Sequence, residues 1–324
     1  MTPPPNPKLA ALASQINGVL ESVLGADSEL LGEIGFYSFL AGGKRLRPLV
    51  FLLVAESLGL EINPQTVKTS AVFEFLHMAT LLHDDIVDQA DSRRGQMAAH
   101  HKFGIPETVL AGDYLLSKAA TIAMDSGDID FLGLLIVSLR ELALGELYQL
   151  RARRVSRLTL AEYLDIIGRK TAALFRATAL AAATLAKADS PAKEAIALYG
   201  ERYGLSFQIL DDILDYESSP EALGKPVLKD LTEGRITIPF ILARDALPAP
   251  KSQRLAFLGA RLSLSPAEKE EVFSLIRAGD GVARAADKAL EFARAAREAL
   301  HALPPSEARE TLQELALANV GRQN

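Results

Sequence analysis

The sequence predicts an all-α protein, built as one large antiparallel helical bundle around a central cavity. Apolar residues recur at three- and four-residue spacing along most of the 324 residues, as in helices that bury one face. No stretch alternates apolar and polar residues in the way that is typical of strands. The span 107–189 contains no proline and is rich in Ala and Leu. We expect a single domain over residues 8–324, preceded by a proline-rich, disordered or extended segment at 1–7.

The helical segments follow in order, most of them separated by glycine or proline. The predicted helices cover 8–24, 28–40, 49–58, 64–89, 107–124, 129–153, 159–175, 178–188 and 193–218. A loop is predicted over 219–235, and the remainder, 236–324, is predicted to be helical, with a last helix from about Ser306. Three helix starts carry side-chain caps: Asn63 before Pro64, and the capping boxes that begin at Thr159 and Ser265.

Composition excludes several classes of protein. The chain is 49% hydrophobic and has a formal net charge of −6, which argues against a nucleic-acid partner. Its bases nevertheless gather at 44–47, 93–94, 169–170 and 225–235, a pattern that fits a small anionic substrate. No cysteine is present, which excludes thiolate chemistry. No apolar run reaches the ~20 residues of a transmembrane helix, and the first residues do not resemble a signal peptide. We therefore expect a cytoplasmic protein.

One acidic motif ends the predicted helix 64–89. Asp84 and Asp88 lie four residues apart, on the same face of a helix, with Asp85 beside them. Like charges at this spacing repel unless a cation neutralises them, and Mg²⁺ prefers such oxygen ligands. Arg93 and Arg94 follow, and arginine suits bidentate phosphate binding. The motif therefore indicates a diphosphate site; by itself it fits a solvated acidic face equally well.

The same spacing recurs in a second apolar helix at Asp211, Asp212 and Asp215. Two copies on two apolar helices are hard to explain as solvated acidic faces. If the two helices face each other, six carboxylates line one cavity.

In these motifs the chain resembles the trans-isoprenyl diphosphate synthases, the polyprenyl synthetase family, of medium- or long-chain type. The resemblance extends from about residue 40 to 242 and also includes the segments 42–48 (GGKRLRP), 93–95 (RRG), 224–226 (GKP) and 230–235 (DLTEGR). It implies the isoprenoid synthase fold, a homodimer and about three Mg²⁺ ions held by the six aspartates. The reaction it implies joins isopentenyl diphosphate to an allylic diphosphate.

The resemblance also assigns residues. For isopentenyl diphosphate it implies Lys44, Arg47, His77 and Arg94. For the allylic diphosphate it implies Arg93, Lys170, Thr171, Gln208, Lys225 and Arg235. Lys170 joins Asp84, Asp85, Asp88, Asp211 and Asp212 as a catalytic residue. Simpler interpretations are a core histidine for His77 and a surface lysine for Lys170. The family usually has Lys where Arg235 stands; the positive charge is kept, but the arginine fork presents its hydrogen-bond donors differently.

Product length is predicted from the helix that bears Asp84. Ala79 lies about 7.5 Å below Asp84 at ~1.5 Å per residue, and Thr80 about one turn below it. In the family, small residues at these two positions leave the pocket open to a growing chain. We predict a medium- or long-chain all-trans product, with a C20 geranylgeranyl product as the alternative; Ala79 can equally be an ordinary core residue.

Two other functions share part of the pattern. A class I terpene cyclase also carries D-D-x-x-D, but its second metal motif normally mixes Asn, Ser or Thr with Glu. A catalytically silent partner subunit of a synthase would be expected to have lost one aspartate motif. Both motifs are intact here, which favours the synthase.

Overall fold

Helices make up nearly every element of the chain. The computed structural model describes residues 7–24, 29–40, 43–93, 95–217 and 228–318. Its first helices are α1 (Pro7–Leu24), α2 (Glu29–Leu40), α3 (Leu46–Ser57), α4 (Pro64–Ser70), α5 (Val72–Val87), α6 (Ala99–Phe103), α7 (Ile105–Asp125) and α8 (Ile129–Ala152). The others are α9 (Leu160–Ile167), α10 (Ala173–Leu185), α11 (Ser190–Glu217), α12 (Lys229–Thr232), α13 (Ile238–Ala246), α14 (Ala249–Gly259), α15 (Pro266–Ala278), α16 (Gly281–Ala299) and α17 (Glu307–Ala318). The all-α prediction is confirmed.

The chain divides into two compact units. Unit 1 comprises Met1–Leu139, Ala177–Lys193 and Leu303–Arg309, and unit 2 comprises Arg140–Arg176, Glu194–Ala302 and Glu310–Asn324. The core of unit 1 includes Phe51 and Phe73, which meet the ring of Phe131 edge-on at 6.4 and 5.9 Å. The core of unit 2 includes aliphatic and aromatic residues of α9, α11, α13, α14, α15 and α16. The prediction of one domain over 8–324 stays a prediction.

Local signals placed several helix starts correctly. The Asn63 side chain accepts the Thr66 N–H at 3.0 Å, and both predicted capping boxes, at Thr159 and Ser265, are formed. Helix α1 begins at Pro7, one residue inside the segment predicted to be extended, and residues 1–6 lie outside the described part. In that part, no helix has the length and hydropathy that crossing a membrane requires.

The predicted helix 64–89 is wrong as one element, since α4 ends at Ser70 and α5 begins at Val72. The hydroxyls of Thr69 and Ser70 donate to the carbonyls of Gln65 and Val67, and such bonds compete with helix hydrogen bonds. The predicted helix 159–175 is also interrupted, by a π-helical turn at Gly168–Ala172. A short hairpin, β1 (Ser92–Arg93) and β2 (Gln96–Met97), was not predicted.

Helix α11 packs closely on the segment after the π turn because it carries two glycines one turn apart. A Cβ at Gly204 would lie 2.5 Å from the Ala172 Cα, and one at Gly200 would lie 2.7 Å from the Phe175 carbonyl oxygen. Continued at four-residue steps, the same face of α11 reaches Gln208 and Asp212. The two glycines therefore bring the second aspartate motif against the π turn.

We predict that Gly204→Ala destabilises the protein by about 1–3 kcal/mol, because the added methyl group overlaps backbone that cannot rotate away. Gly18→Ala is the matched control: it lies on an exposed face of α1 with no atom within 4 Å of the added carbon, so it should raise stability by up to about 1 kcal/mol. Urea denaturation measures both values. Equal stability of the Gly204 variant and the wild type would contradict the close packing.

Candidate active site

The first aspartate motif lies at the C-terminal end of α5. The Asp88 N–H donates to the Asp84 carbonyl at 2.8 Å, so the helical turn continues through Asp88 and places these two residues one turn apart. Both side chains are half-buried. Their carboxylates are hard oxygen donors on a shared face of the helix, and this donor set suits Mg²⁺.

Asp85 is engaged differently from its neighbours. It is buried, and its two carboxylate oxygens accept from the Arg93 Nε at 2.8 and 2.9 Å. Arg93 is presented by the β1–β2 hairpin, whose turn requires the left-handed conformation of Gly95 (φ +81°). Arg93 thus neutralises one of the three aspartates. Arg94, which was predicted to bind isopentenyl diphosphate, lies outside the described residues.

The basic segment before α3 separates into residues with different surroundings. Arg45 adopts the left-handed conformation (φ 49°), and its buried guanidinium donates to Glu74 on α5 at 3.2 Å and to Asn17 at 3.1 Å. Lys44 is exposed, whereas Arg47 is buried in the first turn of α3. The Arg45–Glu74 pair therefore ties this segment to the helix that bears the first aspartate motif.

His77 and Thr80 precede Asp84 on α5. His77 is half-buried, and the Thr80 hydroxyl donates to the His77 carbonyl at 2.8 Å. Ala79 is fully buried. A small pocket of about 30 Å³ adjoins another side of this helix, and neither Ala79 nor Thr80 lines it. Its walls include Tyr37, Met78, Leu82, Asp85, Arg93 and Met97.

The second motif, on α11, also has one outward and one inward carboxylate. Asp211 is exposed, whereas Asp212 is buried. The Asp212 oxygens accept from the Tyr163 hydroxyl at 2.6 Å and from the Gln208 amide nitrogen at 2.8 Å. Burial and the nearby Asp230 carboxylate raise the pKa of Asp212 to about 8, although the two donors act in the opposite direction. Burial also raises the pKa of Tyr163 well above its ordinary value.

Asp215 caps a neighbouring segment. Its carboxylate accepts the backbone N–H groups of Lys229 and Asp230 at 2.9 and 3.0 Å, at the start of α12. Burial and the Asp230 charge raise the pKa of Asp215 to about 6, against the effect of these donors. Arg235 donates to Asp230 at 2.9 Å and pairs with Glu233. Lys225 lies outside the described residues, as does most of the loop predicted at 219–235.

Lys170 and Thr171 lie in the π turn, a feature that often marks functional sites. The Lys170 ammonium donates to the Gln149 side chain at 2.5 Å and pairs with Glu146 of α8. A Cβ at Gly145 would lie 2.6 Å from the backbone nitrogen of Lys170, so glycine at this position lets α8 approach the turn closely. The Thr171 hydroxyl donates to the Gln208 amide oxygen at 2.7 Å.

Sequence reasoning missed Tyr163, Glu146 and the Arg45–Glu74 pair as part of these surroundings. Tyr163 lies one turn after the capping residue Thr159. This spacing predicts that Tyr163 faces the protein interior, but it does not predict its partner. Glu146 had a usable signal, since it directly follows Gly145 and lies within the segment that resembles the family. In the described residues no three His, Asp or Glu side chains converge as a metal cage. Mg²⁺ sites that substrate phosphates complete do not require one.

Comparison with known proteins identifies the family. The polyprenyl synthetase family model matches residues 28–276, which is most of the chain. The chain belongs to the polyprenyl synthetase family. Within that family it is similar to an octaprenyl diphosphate synthase of Haemophilus influenzae, at 34% identity over 95% of this chain and 93% of that protein.

Solved structures of polyprenyl synthetases agree with this assignment. A decaprenyl diphosphate synthase from Rhodobacter capsulatus superposes with a TM-score of 0.90 at 31% identity, over 98% of each chain. A polyprenyl synthase from Caulobacter crescentus, complexed with calcium and isoprenyl diphosphate, gives a TM-score of 0.89 at 35% identity. That match covers 97% of this chain and 96% of the Caulobacter chain.

We predict that Asp215→Ala releases the start of α12, because two backbone N–H groups lose their acceptor. Hydrogen exchange at Lys229 and Asp230, followed by mass spectrometry, should become at least several-fold faster. Asp211→Ala is the matched control on the same helix and should leave these two amides protected. Unchanged exchange in the Asp215 variant would show that its carboxylate does not hold this segment.

Proposed function

We propose that this polyprenyl synthetase condenses isopentenyl diphosphate with an allylic diphosphate and releases an all-trans polyprenyl diphosphate of medium or long chain length. The observation that carries the proposal is the common arrangement of the two aspartate motifs: each turns its second carboxylate into the protein and leaves its first one accessible. The octaprenyl and decaprenyl synthases that resemble the chain support the product class.

Asp84, Asp88 and Asp211 are the residues that we propose as magnesium ligands, with about three ions when substrate is bound. Their accessible carboxylates fit a hard cation that keeps waters and takes further ligands from phosphate. When bound, the metal would neutralise the charge that develops on the leaving diphosphate. Asp85, Asp212 and Asp215 were predicted as further ligands; we propose that they hold Arg93, Gln208 and α12 in place instead.

Basic side chains supply the remaining charge. We propose that Lys44, Arg47 and His77 bind the diphosphate of isopentenyl diphosphate, together with Arg94. Lys170 and Arg93 would bind the allylic diphosphate and stabilise its negative charge as the carbon–oxygen bond breaks. The double bond of isopentenyl diphosphate then attacks the allylic carbon, and loss of a proton to the released diphosphate completes the step. Lys225 and Arg235 would also bind the allylic diphosphate.

The assembly that we propose is a homodimer in the cytoplasm, as family resemblance implies. Exposed apolar side chains on unit 1 support self-association, because a monomer would leave them in water. On α8, Ile129, Ile136 and Val137 share a face and are 78%, 52% and 45% exposed. Leu110 on α7 is 63% exposed.

The proposed function predicts that Asp84→Ala or Asp211→Ala lowers turnover by ~10²–10³, since each removes charge stabilisation in the transition state. The purified protein is incubated with labelled isopentenyl diphosphate, an allylic primer and Mg²⁺. Melting curves should stay near that of the wild type, because both carboxylates lie at the accessible face of their helices.

The wild-type arm of this assay also separates the alternatives. Elongated diphosphates support the synthase, cyclic hydrocarbon would indicate a cyclase, and no product would indicate a silent subunit. Turnover near the wild-type rate in either aspartate variant, with the same Mg²⁺ requirement, would refute the proposed metal ligands.

Product length is tested at Ala79. If the growing tail passes this residue, Ala79→Tyr should shorten the product and leave the first condensation intact, because the metal ligands lie above the block. Ala79 is fully buried, so Thr80→Phe, at a half-buried position, is the second variant. Chromatography of the dephosphorylated alcohols gives the chain lengths. The same product distribution in both folded variants would place the tail elsewhere, and a C20 wild-type product would favour the geranylgeranyl alternative.

A further inference from the structure

A chain of three hydrogen bonds joins the second aspartate motif to the π turn. The Tyr163 hydroxyl of α9 donates to Asp212 at 2.6 Å, the Gln208 amide nitrogen donates to the other Asp212 oxygen at 2.8 Å, and Thr171 donates to the Gln208 oxygen at 2.7 Å. All four residues belong to unit 2. Tyr163 is 3% exposed, Asp212 6% and Thr171 7%.

The direction of each bond follows from the ionised form of Asp212, which a cation bound at the neighbouring Asp211 would favour. An ionised Asp212 only accepts, so Tyr163 and the NH₂ group of Gln208 donate to it. That orientation points the Gln208 carbonyl oxygen at Thr171, whose hydroxyl then donates its single proton to this oxygen. A flipped Gln208 would place its carbonyl oxygen against the carboxylate, which is repulsive. The buried Tyr163–Asp212 bond therefore sets the orientation of the Gln208 amide and of the Thr171 hydroxyl, beside Lys170.

This arrangement changes what Thr171 and Gln208 offer a ligand. A diphosphate oxygen needs a donor, but the Thr171 proton and one of the two Gln208 amide hydrogens face protein acceptors. Lys170, which directly precedes Thr171 in the turn, carries the charge suited to the diphosphate. Thr171 and Gln208 therefore serve to hold Lys170 in place, and Tyr163 anchors them.

Building on the proposed function, we propose that Tyr163 is a positioning residue for diphosphate binding. Its hydroxyl fixes Asp212, which through Gln208 and Thr171 fixes the π turn that carries Lys170. The same bond keeps Asp212 turned inward, away from the accessible side of its neighbour Asp211. One buried hydroxyl thus sets the geometry of a metal-binding carboxylate and of a phosphate-binding lysine.

The test compares Tyr163→Phe with Tyr199→Phe. The control removes a hydroxyl that is equally buried in unit 2 and donates to the Leu312 carbonyl, outside the chain of bonds. Inorganic diphosphate with Mn²⁺ is the probe, titrated by calorimetry, so the readout needs no turnover. We expect affinity to fall about tenfold in Tyr163→Phe, the size of one lost bond to a charged group, and to stay unchanged in Tyr199→Phe. The Michaelis constant for the allylic diphosphate should rise in parallel.

A purely structural role gives the opposite pattern. Both tyrosine variants would then melt earlier and bind diphosphate as the wild type does, which would overturn the proposal. Thr171→Val keeps the test decisive if Tyr163→Phe fails to fold, because wild-type affinity in that variant would equally refute the coupling.

A double variant tests the coupling itself. Tyr163 and Thr171 do not bond to each other, so independent roles predict that their effects on affinity multiply. Coupling through Asp212 and Gln208 predicts that Tyr163→Phe combined with Thr171→Val binds no more weakly than the worse single variant. Multiplied effects would overturn the proposal. Failure of the wild type to turn over substrate, with these titrations as expected, would refute only the proposed function.

Discussion

Repulsion between adjacent aspartates is the constraint that shapes both motifs. Neighbouring residues on a helix point about 100° apart, so the second carboxylate of each motif faces the protein and needs a donor there. Asp85 obtains one from Arg93, and Asp212 obtains two, from Tyr163 and Gln208. With the second carboxylate bonded inside the protein, the first carboxylate of each motif lies on the more accessible side of its helix.

The two inward carboxylates differ in what satisfies them. Asp85 is paired with the full positive charge of Arg93. Asp212 has only neutral donors and lies near Asp230, so burial and this like charge raise its pKa to about 8. The pKa of Asp215 is raised to about 6. Groups with raised folded pKa values favour the folded state at low pH. Without a cation, that contribution is lost as pH rises from the ordinary carboxyl range through about 6 to 8. A cation bound nearby would offset this loss.

Features with local causes were predictable from the sequence. The caps at Asn63, Thr159 and Ser265 were placed correctly because a cap is a contact between residues three apart. The π turn depends on packing instead: Gly145 and Gly204 allow backbone to approach it from α8 and α11, and no pattern within 168–172 reports that. Tyr163 was missed for the same reason, since its partner Asp212 lies far away in sequence.

The third aspartate shows where identical motifs diverge. Asp88 and Asp215 stand at equivalent positions, and helical spacing alone predicts that each shares a face with the first aspartate of its motif. Asp88 does so at the end of α5, but Asp215 lies beside the start of α12, whose first N–H groups have no acceptor within the helix and donate to the Asp215 carboxylate. The third carboxylate of the second motif therefore anchors the segment that leads to Arg235. Equal spacing in sequence therefore does not imply equal function, because the next element of the chain decides which donors each carboxylate meets.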